Sequence, residues 1–257
     1  MKTLLFIIDM QNDFCNPSGS LYVPGAEIDA MRLVGFIRRN INSIDQVILT
    51  QDNHQVMDIA HPAFWINSKG EYPAAYTTIT LNDVETGKWQ PVMYMEEAID
   101  YLRKIAETDE YSHTIWPEHC IWGSEGAAIY PELMEAVQEW AREGKMFDVI
   151  SKGMYPLTEH FGAFRANMPV DNVPETQFNQ SLKEKMEGYD KIWIAGEAKS
   201  HCVANTIKQL FDYPELIARM IILEDCMSNV TGFESLANPI YEKAKNMGAA
   251  FLECTHA

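Results

Sequence analysis

A strand, a turn and the start of a helix follow one another in the stretch Ile192-Trp193-Ile194-Ala195-Gly196-Glu197-Ala198-Lys199-Ser200-His201-Cys202-Val203-Ala204-Asn205-Thr206. The apolar run at 192–195 has the length of a buried strand, and Gly196 ends it. Ser200 is a good helix N-cap, so we expect Cys202 in the first turn of a helix. There the helix dipole and unpaired N–H groups favour a thiolate and can hold an oxyanion. Taken alone, the stretch fits a nucleophile and a small buried cysteine equally well.

Apolar runs of strand length recur along the chain and alternate with helical patterns. They lie at 4–8, 46–50, 148–152, 192–195, 219–223 and 249–252. Apolar residues with helical spacing lie at 24–42, 131–142, 178–187, 200–211 and 234–247. Strands buried on both faces and separated by helices predict an α/β protein, with three α/β/α layers around a mostly parallel six-stranded sheet. Since we find no repeat and no linker, we expect a single domain over residues 1–257.

The segment from about 62 to 113 does not fit this alternation and is interpreted as an insertion. Residues 77–81 and 88–92 flank a polar turn at 83–87, which is typical of a β-hairpin. Apolar residues at 95–106 then recur with helical spacing. We therefore expect an inserted hairpin and helix that form either a lid or a subunit contact.

Charge and composition exclude several classes of protein. The chain has 37 acidic and 20 basic residues and a formal net charge of -17, so it should repel the phosphate backbone of nucleic acids. No apolar run approaches the roughly 20 residues of a membrane-spanning helix, and Asp9 interrupts the first run before it resembles a signal peptide. The 5 cysteines form no CxxC pair, which argues against a zinc ribbon. Their odd number and the lack of an export signal predict reduced thiols and a cytoplasmic location.

Two of the predicted strands end in a residue that can take part in acid–base chemistry. Asp9 ends the first strand, at the edge where open α/β sheets bind their ligands. Lys152 ends the strand at 148–152. A lone lysine there is usually a solvated surface charge, but beside Asp9 and Cys202 it would favour both anions.

Other polar residues suggest a metal site. Asp52 and His54 follow the second strand two residues apart, so both side chains can point to one face and suit a divalent metal. Alone the pair is a weak signal, which a polar loop explains better, since two ligands do not make a site. His119, in an aromatic loop, could supply a third ligand. Trp116 and Trp122 of that loop could wall a flat apolar substrate, and for Trp122 a place inside a buried loop is the simpler interpretation.

Several segments together resemble the nicotinamidase branch of the isochorismatase-like cysteine hydrolases. They span nearly the whole chain in the family's order, as Ile7-Ile8-Asp9-Met10-Gln11-Asn12-Asp13-Phe14, Asp52-Asn53-His54, Trp116-Pro117-Glu118-His119-Cys120, Ser151-Lys152-Gly153 and Ser200-His201-Cys202-Val203. No single motif is specific, but the ordered set is. The resemblance implies the isochorismatase-like form of the predicted fold and favours Cys202 as a nucleophile.

The resemblance also implies an activity and the residues that carry it. The implied reaction is amidohydrolysis, in which nicotinamide becomes nicotinic acid and ammonia through a cysteine thioester, as in NAD salvage and pyridine nucleotide biosynthesis. Asp9, Lys152 and Cys202 would form the catalytic triad. The N–H groups of Ala198 and Cys202 would form an oxyanion hole, with a cis peptide bond between Glu197 and Ala198.

A metal and an aromatic substrate pocket are implied as well. The cofactor would be a divalent metal, zinc first and iron or manganese as alternatives, bound by Asp52, His54 and His119. His61 is a further candidate ligand, because some members have a fourth ligand shortly after the D-x-H pair. Residues that would match the aromatic walls around a pyridine ring are Phe14, Trp116 and Phe161.

Three departures from the family pattern bear on the substrate more than on the reaction. The segment between His54 and Trp116 is longer than in compact members, Ser200 stands where many members have Asp or Thr, and Glu197 places a charge at the turn. A cysteine hydrolase of another small amide or urea-type compound therefore stays open, as does a non-catalytic metal-binding relative. The expected partner is a small-molecule amide, with no nucleic acid and no membrane, and a homo-oligomer is the common outcome for such folds.

Overall fold

Six parallel strands form the central sheet in the computed structural model, which describes residues 1–108 and 110–255. Together with β3 and β4, which form a separate pair, the strands of the described residues are β1 (Thr3–Ile8), β2 (Gln46–Asp52), β3 (Trp65–Ile66), β4 (Gln90–Pro91), β5 (Asp148–Lys152), β6 (Lys191–Gly196), β7 (Met220–Leu223) and β8 (Ala250–Leu252). The order across the central sheet is β5-β2-β1-β6-β7-β8, and every neighbouring pair is parallel. The predicted α/β class and six-stranded sheet are confirmed.

The central strand β1 shows why helices cover both faces of the sheet. Its residues from Leu4 to Ile8 are all 0% exposed. Leu5 and Ile7 pack into one hydrophobic core, whereas Leu4, Phe6 and Ile8 pack into another. Because successive side chains of a strand point to opposite faces, a continuous apolar run needs cover on both sides. The three-layer α/β/α arrangement follows from this pattern and is confirmed.

The helices are α1 (Asn12–Cys15), α2 (Ala26–Arg39), α3 (Leu81–Glu85), α4 (Met95–Ala106), α5 (Pro131–Arg142), α6 (Gln180–Glu187), α7 (Ala204–Lys208), α8 (Pro214–Ile217) and α9 (Asn238–Asn246). Short 3₁₀ turns lie at Pro62–Phe64 and Pro174–Thr176, and a π-helical turn lies at Lys199–Val203. Residues of α2 and α5 pack on one face of the sheet, and residues of α6, α7 and α9 pack on the other. Within residues 1–108 and 110–255, no helix is both long and apolar enough to cross a membrane.

The predicted helices agree with the structure better in existence than in length. The helices expected at 95–106 and 131–142 are confirmed with the same bounds as α4 and α5. The others are shorter than predicted. For example, α6 begins at Gln180 because the Asn179 side chain accepts a hydrogen bond from the Leu182 N–H at 2.9 Å and caps the helix there.

The predicted hairpin at 77–92 is wrong. Thr80 instead starts α3: its hydroxyl accepts from the Asp83 N–H at 3.2 Å, and the Asp83 carboxylate accepts from the Thr80 N–H at 2.9 Å. This reciprocal capping stabilises a helical turn. The strand β4 pairs with β3 in an antiparallel ribbon, and both pack with α4 around a small separate core. A lid or contact role for this segment, and the single-domain organisation, stay predictions.

The carboxyl ends of the central strands bring polar residues to one edge of the sheet. Asp9 follows β1, Asp52 ends β2 and Lys152 ends β5. On the other side of β1, β6 leads into the turn that carries Cys202. The order of strands reverses between β1 and β6, and open α/β sheets bind their ligands at such a point.

We expect Gly196 to tolerate no side chain. Its φ is +133°, and an added Cβ would lie 2.1 Å from the Ile8 carbonyl oxygen of the neighbouring strand. Gly196→Ala should therefore push β6 away from β1 and lower the free energy of unfolding by roughly 3 kcal/mol or more, measured by urea denaturation.

Gly144→Ala is the matched control for this change. Its φ is +86°, but nothing lies within 4 Å of the added Cβ. Only the backbone cost, about 1 kcal/mol, should then apply. Equal losses for the two variants would contradict the steric explanation.

Candidate active site

A cavity at the carboxyl edge of the sheet contains most of the residues predicted for the site. Its empty volume is about 400 Å³, part of which opens to solvent. The predicted residues that line it are Phe14, Asp52, His54, Trp116, His119, Phe161, Ala198 and Cys202. Apolar side chains of Leu21, Val23 and Val230 complete much of the remaining wall.

Lys152 is a buried ammonium group between two carboxylates. Its Nζ lies 2.8 Å from Asp9 Oδ2 and 3.0 Å from Asp52 Oδ1, and it donates to the His160 carbonyl at 2.9 Å. Cys202 Sγ lies 3.8 Å from the same nitrogen. Burial opposes the charge on Lys152, but the two carboxylates outweigh it and raise the Lys152 pKa well above its usual value. Lys152 is therefore not a surface lysine, and the structure brings Asp9, Lys152 and Cys202 together.

The acid and the thiol are both buried beside this lysine. The Thr50 hydroxyl donates to Asp9 Oδ1 at 2.6 Å and accepts from the Asp9 N–H at 3.0 Å, which fixes the carboxylate. Burial raises the pKa of Asp9, and Lys152 opposes that rise. Burial also raises the pKa of Cys202 well above its usual value, and Lys152 offsets only part of it. These shifts favour a protonated Cys202 thiol in the resting site, contrary to the thiolate expected from the helix dipole, so a base has to remove its proton.

Cys202 lies in the π-helical turn Lys199–Val203. The predicted N-cap is wrong, since Ser200 lies within the turn and its hydroxyl accepts from the Val230 N–H at 3.1 Å. Ala198 occupies the cap position, and its carbonyl oxygen accepts a hydrogen bond from the Val203 N–H at 3.2 Å. The turn begins earlier than expected, and Cys202 is the fourth of its five residues.

Backbone contacts hold the residues before this turn. The Glu197 N–H donates to the Ile8 carbonyl at 2.9 Å, which ties the turn to β1 beside Asp9. The Glu197–Ala198 peptide bond is cis, as the family resemblance implies. Ala198 occupies the cap position before the helical turn and lines the cavity.

Glu197 is a fully buried carboxyl group that the sequence leaves unexplained. Its Oε2 accepts from the Ser228 N–H at 3.1 Å, and within the described chain no N–H or O–H group donates to Oε1. The adjacent acid is Asp29, which accepts from the Ser228 hydroxyl at 2.5 Å and pairs with Arg32 at 3.1 Å. Burial raises the pKa of Glu197 well above its usual value, and the nearby charges of Asp29 and Glu27 add to the rise. The Asp29 carboxylate beside it therefore also favours the protonated form of Glu197.

Asp52, His54 and His119 form a cluster whose candidate ligand atoms all lie within 4.8 Å of one another. His54 Nε2 lies 3.0 Å from Asp52 Oδ2, and His119 Nε2 lies 3.8 Å from the same oxygen. His54 Nδ1 is 2.9 Å from Asp58 Oδ2, so this carboxylate can accept the Nδ1 proton and leave Nε2 free for a metal. The buried carboxylate and imidazole donors fit a divalent metal.

His61 lies behind this cluster. Its Nε2 is 3.3 Å from His119 Nδ1, and its own Nδ1 is 2.9 Å from the Gln55 carbonyl oxygen. Burial lowers the pKa of His61 to about 2, so the ring is neutral. His61 thus contacts His119 on the nitrogen that faces away from Asp52, and it is not one of the three clustered groups.

Aromatic rings form another part of the cavity wall. The rings of Trp116 and Phe161 lie 6.4 Å apart, and His201 packs against them at 5.1 Å and 5.4 Å. Burial lowers the pKa of His201 to about 3, so it contributes a neutral ring. Phe14 contacts the ring of His119 at 5.5 Å.

Several residues of the site were not predicted from the sequence. Glu159 lines the cavity, accepts from the Trp116 indole N–H at 3.0 Å, and has its pKa raised to about 8 by burial. In the sequence, the only indication of a role for Glu159 is that it is an acid within an aromatic loop. Asp58 had a clearer signal, since it follows His54 by four residues. For Trp122 the buried-loop interpretation is wrong, because 59% of its side chain is exposed.

Known proteins resemble this chain over almost its whole length. No protein-family model matches it. A curated nicotinamidase from Saccharomyces cerevisiae is 24% identical over 245 residues, which cover 95% of this chain and 96% of that protein. A structure of yeast nicotinamidase bound to the inhibitor nicotinaldehyde has a TM-score of 0.67 and 19% identity, and the match covers 98% of this chain and 99% of the other.

A further solved structure that resembles this chain is a complex with zinc. The structure of a pyrazinamidase from Pyrococcus horikoshii in complex with zinc has a TM-score of 0.57 and 18% identity, and the match covers 98% of this chain and 99% of the other. These matches give the chain the isochorismatase-like fold, and they confirm the resemblance inferred from its motifs.

We expect Glu197→Gln to make stability less dependent on pH. Folding raises the pKa of Glu197 above its ordinary value of 4.5, so the folded state keeps a proton that the unfolded chain releases. The contribution of Glu197 to the free energy of unfolding is therefore fully present below pH 4.5. It is lost as the pH rises above that value, by up to about 1.4 kcal/mol per pH unit. Glutamine can accept from Ser228 and donate to Asp29 without a titrating proton, so the loss should disappear.

Urea unfolding at several pH values between about 5 and about 8 measures this effect. Glu132→Gln, which changes an exposed acid at the start of α5, should keep the wild-type slope. Identical slopes for the wild type and Glu197→Gln would argue against a proton that Glu197 retains in the folded state.

Proposed function

We propose that this chain is a nicotinamidase of the isochorismatase-like cysteine hydrolases, an amidohydrolase that converts nicotinamide to nicotinic acid and ammonia. The observation that carries the proposal is the buried Lys152 ammonium, which contacts Asp9 at 2.8 Å and lies 3.8 Å from Cys202 Sγ. This acid, amine and thiol adjoin a cavity that also holds a metal-binding donor set. Similarity to the yeast nicotinamidase over 95% of the chain supports the same conclusion.

The first step makes the nucleophile and forms the thioester. Asp9 takes the thiol proton of Cys202, and the thiolate attacks the carboxamide carbon while the carbonyl electrons move to oxygen. Lys152 stays charged, since its ammonium group is engaged by Asp9, Asp52 and a backbone carbonyl. Its positive charge close to Sγ stabilises the thiolate as it forms.

The oxyanion formed by this attack is assigned to the N–H groups of Ala198 and Cys202. Both residues line the cavity at the first turn of the helix, where N–H groups lack partners within the helix. Donors aimed at a developing negative charge typically contribute about 10²–10³ in kcat each.

The second half of the reaction regenerates the thiol. Asp9 passes its proton to the leaving nitrogen, the carbon–nitrogen bond breaks and ammonia departs. Asp9 then takes a proton from water, whose oxygen attacks the thioester carbon. The carbon–sulfur bond breaks, nicotinic acid forms, and the proton returns to Cys202.

We assign Asp52, His54 and His119 as ligands of a divalent metal, with zinc as the first candidate. When bound, such a metal supplies an open coordination position for the pyridine nitrogen, directly or through a water. His61 is assigned to orient His119, not to bind the metal. We assign Phe14, Trp116 and Phe161 as the side chains that enclose the pyridine ring.

Two alternatives differ from this proposal in what they predict for turnover. A hydrolase of another small amide or urea-type compound would keep the same cysteine chemistry but prefer a substrate without a ring nitrogen. A non-catalytic relative would bind metal and release no ammonia. The cytoplasmic location, the homo-oligomer and the role in NAD salvage stay predictions.

The purified protein should release ammonia from nicotinamide, and Cys202→Ala should lower kcat by at least about 10⁴-fold, because no other group replaces the nucleophile. Cys120→Ala is the control, since it removes a buried thiol that does not line the cavity. A panel with nicotinamide, benzamide and urea-type amides identifies the substrate class. Substantial turnover by Cys202→Ala would refute the nucleophile assignment, and ammonia from urea-type amides alone would favour the alternative hydrolase.

His119→Ala should lose the metal and raise KM for nicotinamide more than it lowers kcat. This residue contacts the ligand cluster but not Lys152, whereas changing Asp52 would also unpair that lysine. Asp58→Asn keeps all three ligands and should weaken metal affinity by about 10–100-fold through His54.

Metal content and steady-state kinetics measure both changes. Benzamide is the matched control substrate, because it lacks the ring nitrogen and its KM should not change with metal loss. A normal metal content in His119→Ala would contradict the ligand assignment.

A further inference from the structure

Two cysteines and an aspartate meet at the carboxyl ends of the last two strands. Asp225 and Cys226 follow β7, and Cys254 follows β8. These strands are parallel neighbours with Leu223 opposite Leu252, so the chain segments leaving them start side by side. One candidate ligand atom from each of the three residues lies within 4.8 Å of the others. None of the three lines the cavity described above.

The distance between Cys226 and Asp225 in this cluster matches that around a single tetrahedral ion, and the distance between Cys254 and Asp225 is shorter. Cys254 Sγ lies 3.1 Å from Asp225 Oδ2, and Cys226 Sγ lies 3.8 Å from Asp225 Oδ1. With metal–sulfur bonds of about 2.3 Å and metal–oxygen bonds of about 2.1 Å, tetrahedral ligand atoms stand roughly 3.5–3.8 Å apart. Small side-chain adjustments would therefore suffice to close the three donors around an ion.

The surroundings hold the donors in place and offer a further one. The Cys254 N–H donates to Asp225 Oδ1 at 2.6 Å, which orients the carboxylate and leaves Oδ2 towards the sulfur. The carbonyl oxygen of Arg32 lies 3.8 Å from Cys254 Sγ, and this oxygen or a water can complete four-coordination. Cys226 is 0% and Cys254 1% exposed, whereas Asp225 is partly exposed and gives an ion a way in.

Local charge also suits a bound cation with two thiolates. Two thiolates and a carboxylate carry three negative charges, and a divalent ion leaves one uncompensated. The guanidinium groups of Arg32 and Arg39 donate to the carbonyl oxygens of Asp225 and Cys254, at 3.1 Å and 2.8 Å. Positive charge is therefore already fixed beside the ligands.

We infer that Asp225, Cys226 and Cys254 form a second metal site, which takes a thiophilic divalent ion of the zinc type and joins the ends of β7 and β8. Binding releases the two thiol protons to solvent and needs no oxidant. The bound ion would tie down β8, which is the edge strand of the sheet and has 3 residues. This site is independent of the catalytic proposal, since it shares no residue with it.

Cobalt substitution tests the site directly, because only thiolate ligands give an intense sulfur-to-cobalt charge-transfer band. Reduced full-length protein titrated with Co²⁺ should show this band in the wild type, in Cys202→Ser and in His119→Ala. The band should be lost in Cys226→Ser and in Cys254→Ser, and it should weaken in Asp225→Asn. The variants Cys202→Ser and His119→Ala exclude the thiol and the metal cluster of the cavity as its source.

Thermal unfolding with Zn²⁺ provides a second readout that does not depend on spectroscopy. Zn²⁺ should raise the Tm of the His119→Ala protein and should not raise it once Cys254→Ser is added, because only an ion that binds the folded state stabilises it. A wild type without the band, a band that survives Cys226→Ser, or a Tm shift that survives Cys254→Ser would overturn the proposal. The three residues would then be an ordinary cluster of hydrogen-bonded thiols.

Discussion

A single buried cation, the ammonium group of Lys152, holds the polar edge of this sheet together. It contacts carboxylates from β1 and β2 at 2.8 Å and 3.0 Å, although its own strand is β5. Two carboxylates this deeply buried would repel each other without a cation between them, and a buried ion without its partner is strongly destabilising. The acid, the aspartate of the histidine cluster and the thiol are near each other because all three adjoin this group.

Asp52 extends this constraint from the acid–amine–thiol group to the histidine cluster. One of its oxygens pairs with Lys152 and the other faces His54, which in turn contacts Asp58 at 2.9 Å. Acidic and basic side chains therefore alternate from Lys152 to Asp58 beside the cavity. His54 and Lys152 together hold the pKa of Asp52 well below its usual range despite its burial. The two halves of the site are thus electrostatically one unit, so a change at either end alters the charge balance of the other.

The sequence could predict the parts of the site that follow from strand geometry. Asp9, Asp52 and Lys152 end parallel strands, and parallel strands bring their carboxyl ends to one edge. The hairpin could not be predicted correctly, since the pairing of β3 with β4 is a tertiary contact and Thr80 caps a helix locally. Neither could the raised pKa of Glu197, which depends on its burial and on the nearby charge of Asp29, far away in the chain. The sequence pattern identifies which residues end a strand or helix. The burial of their side chains and their contacts in the folded chain decide whether they are charged.

The cavity wall comes from two different sources. Its reactive side is built from strand ends of the sheet, whereas Trp116 comes from the chain between β2 and β5. Tyr111 of the same segment supports the wall from outside, because its hydroxyl donates to the Ser200 carbonyl at 3.0 Å. Its ring also packs against His201 at 5.4 Å. Because of this division, the segment between β2 and β5 can vary in length during evolution and so change which molecules enter the cavity. The reactive residues at the strand ends keep their positions on the same sheet.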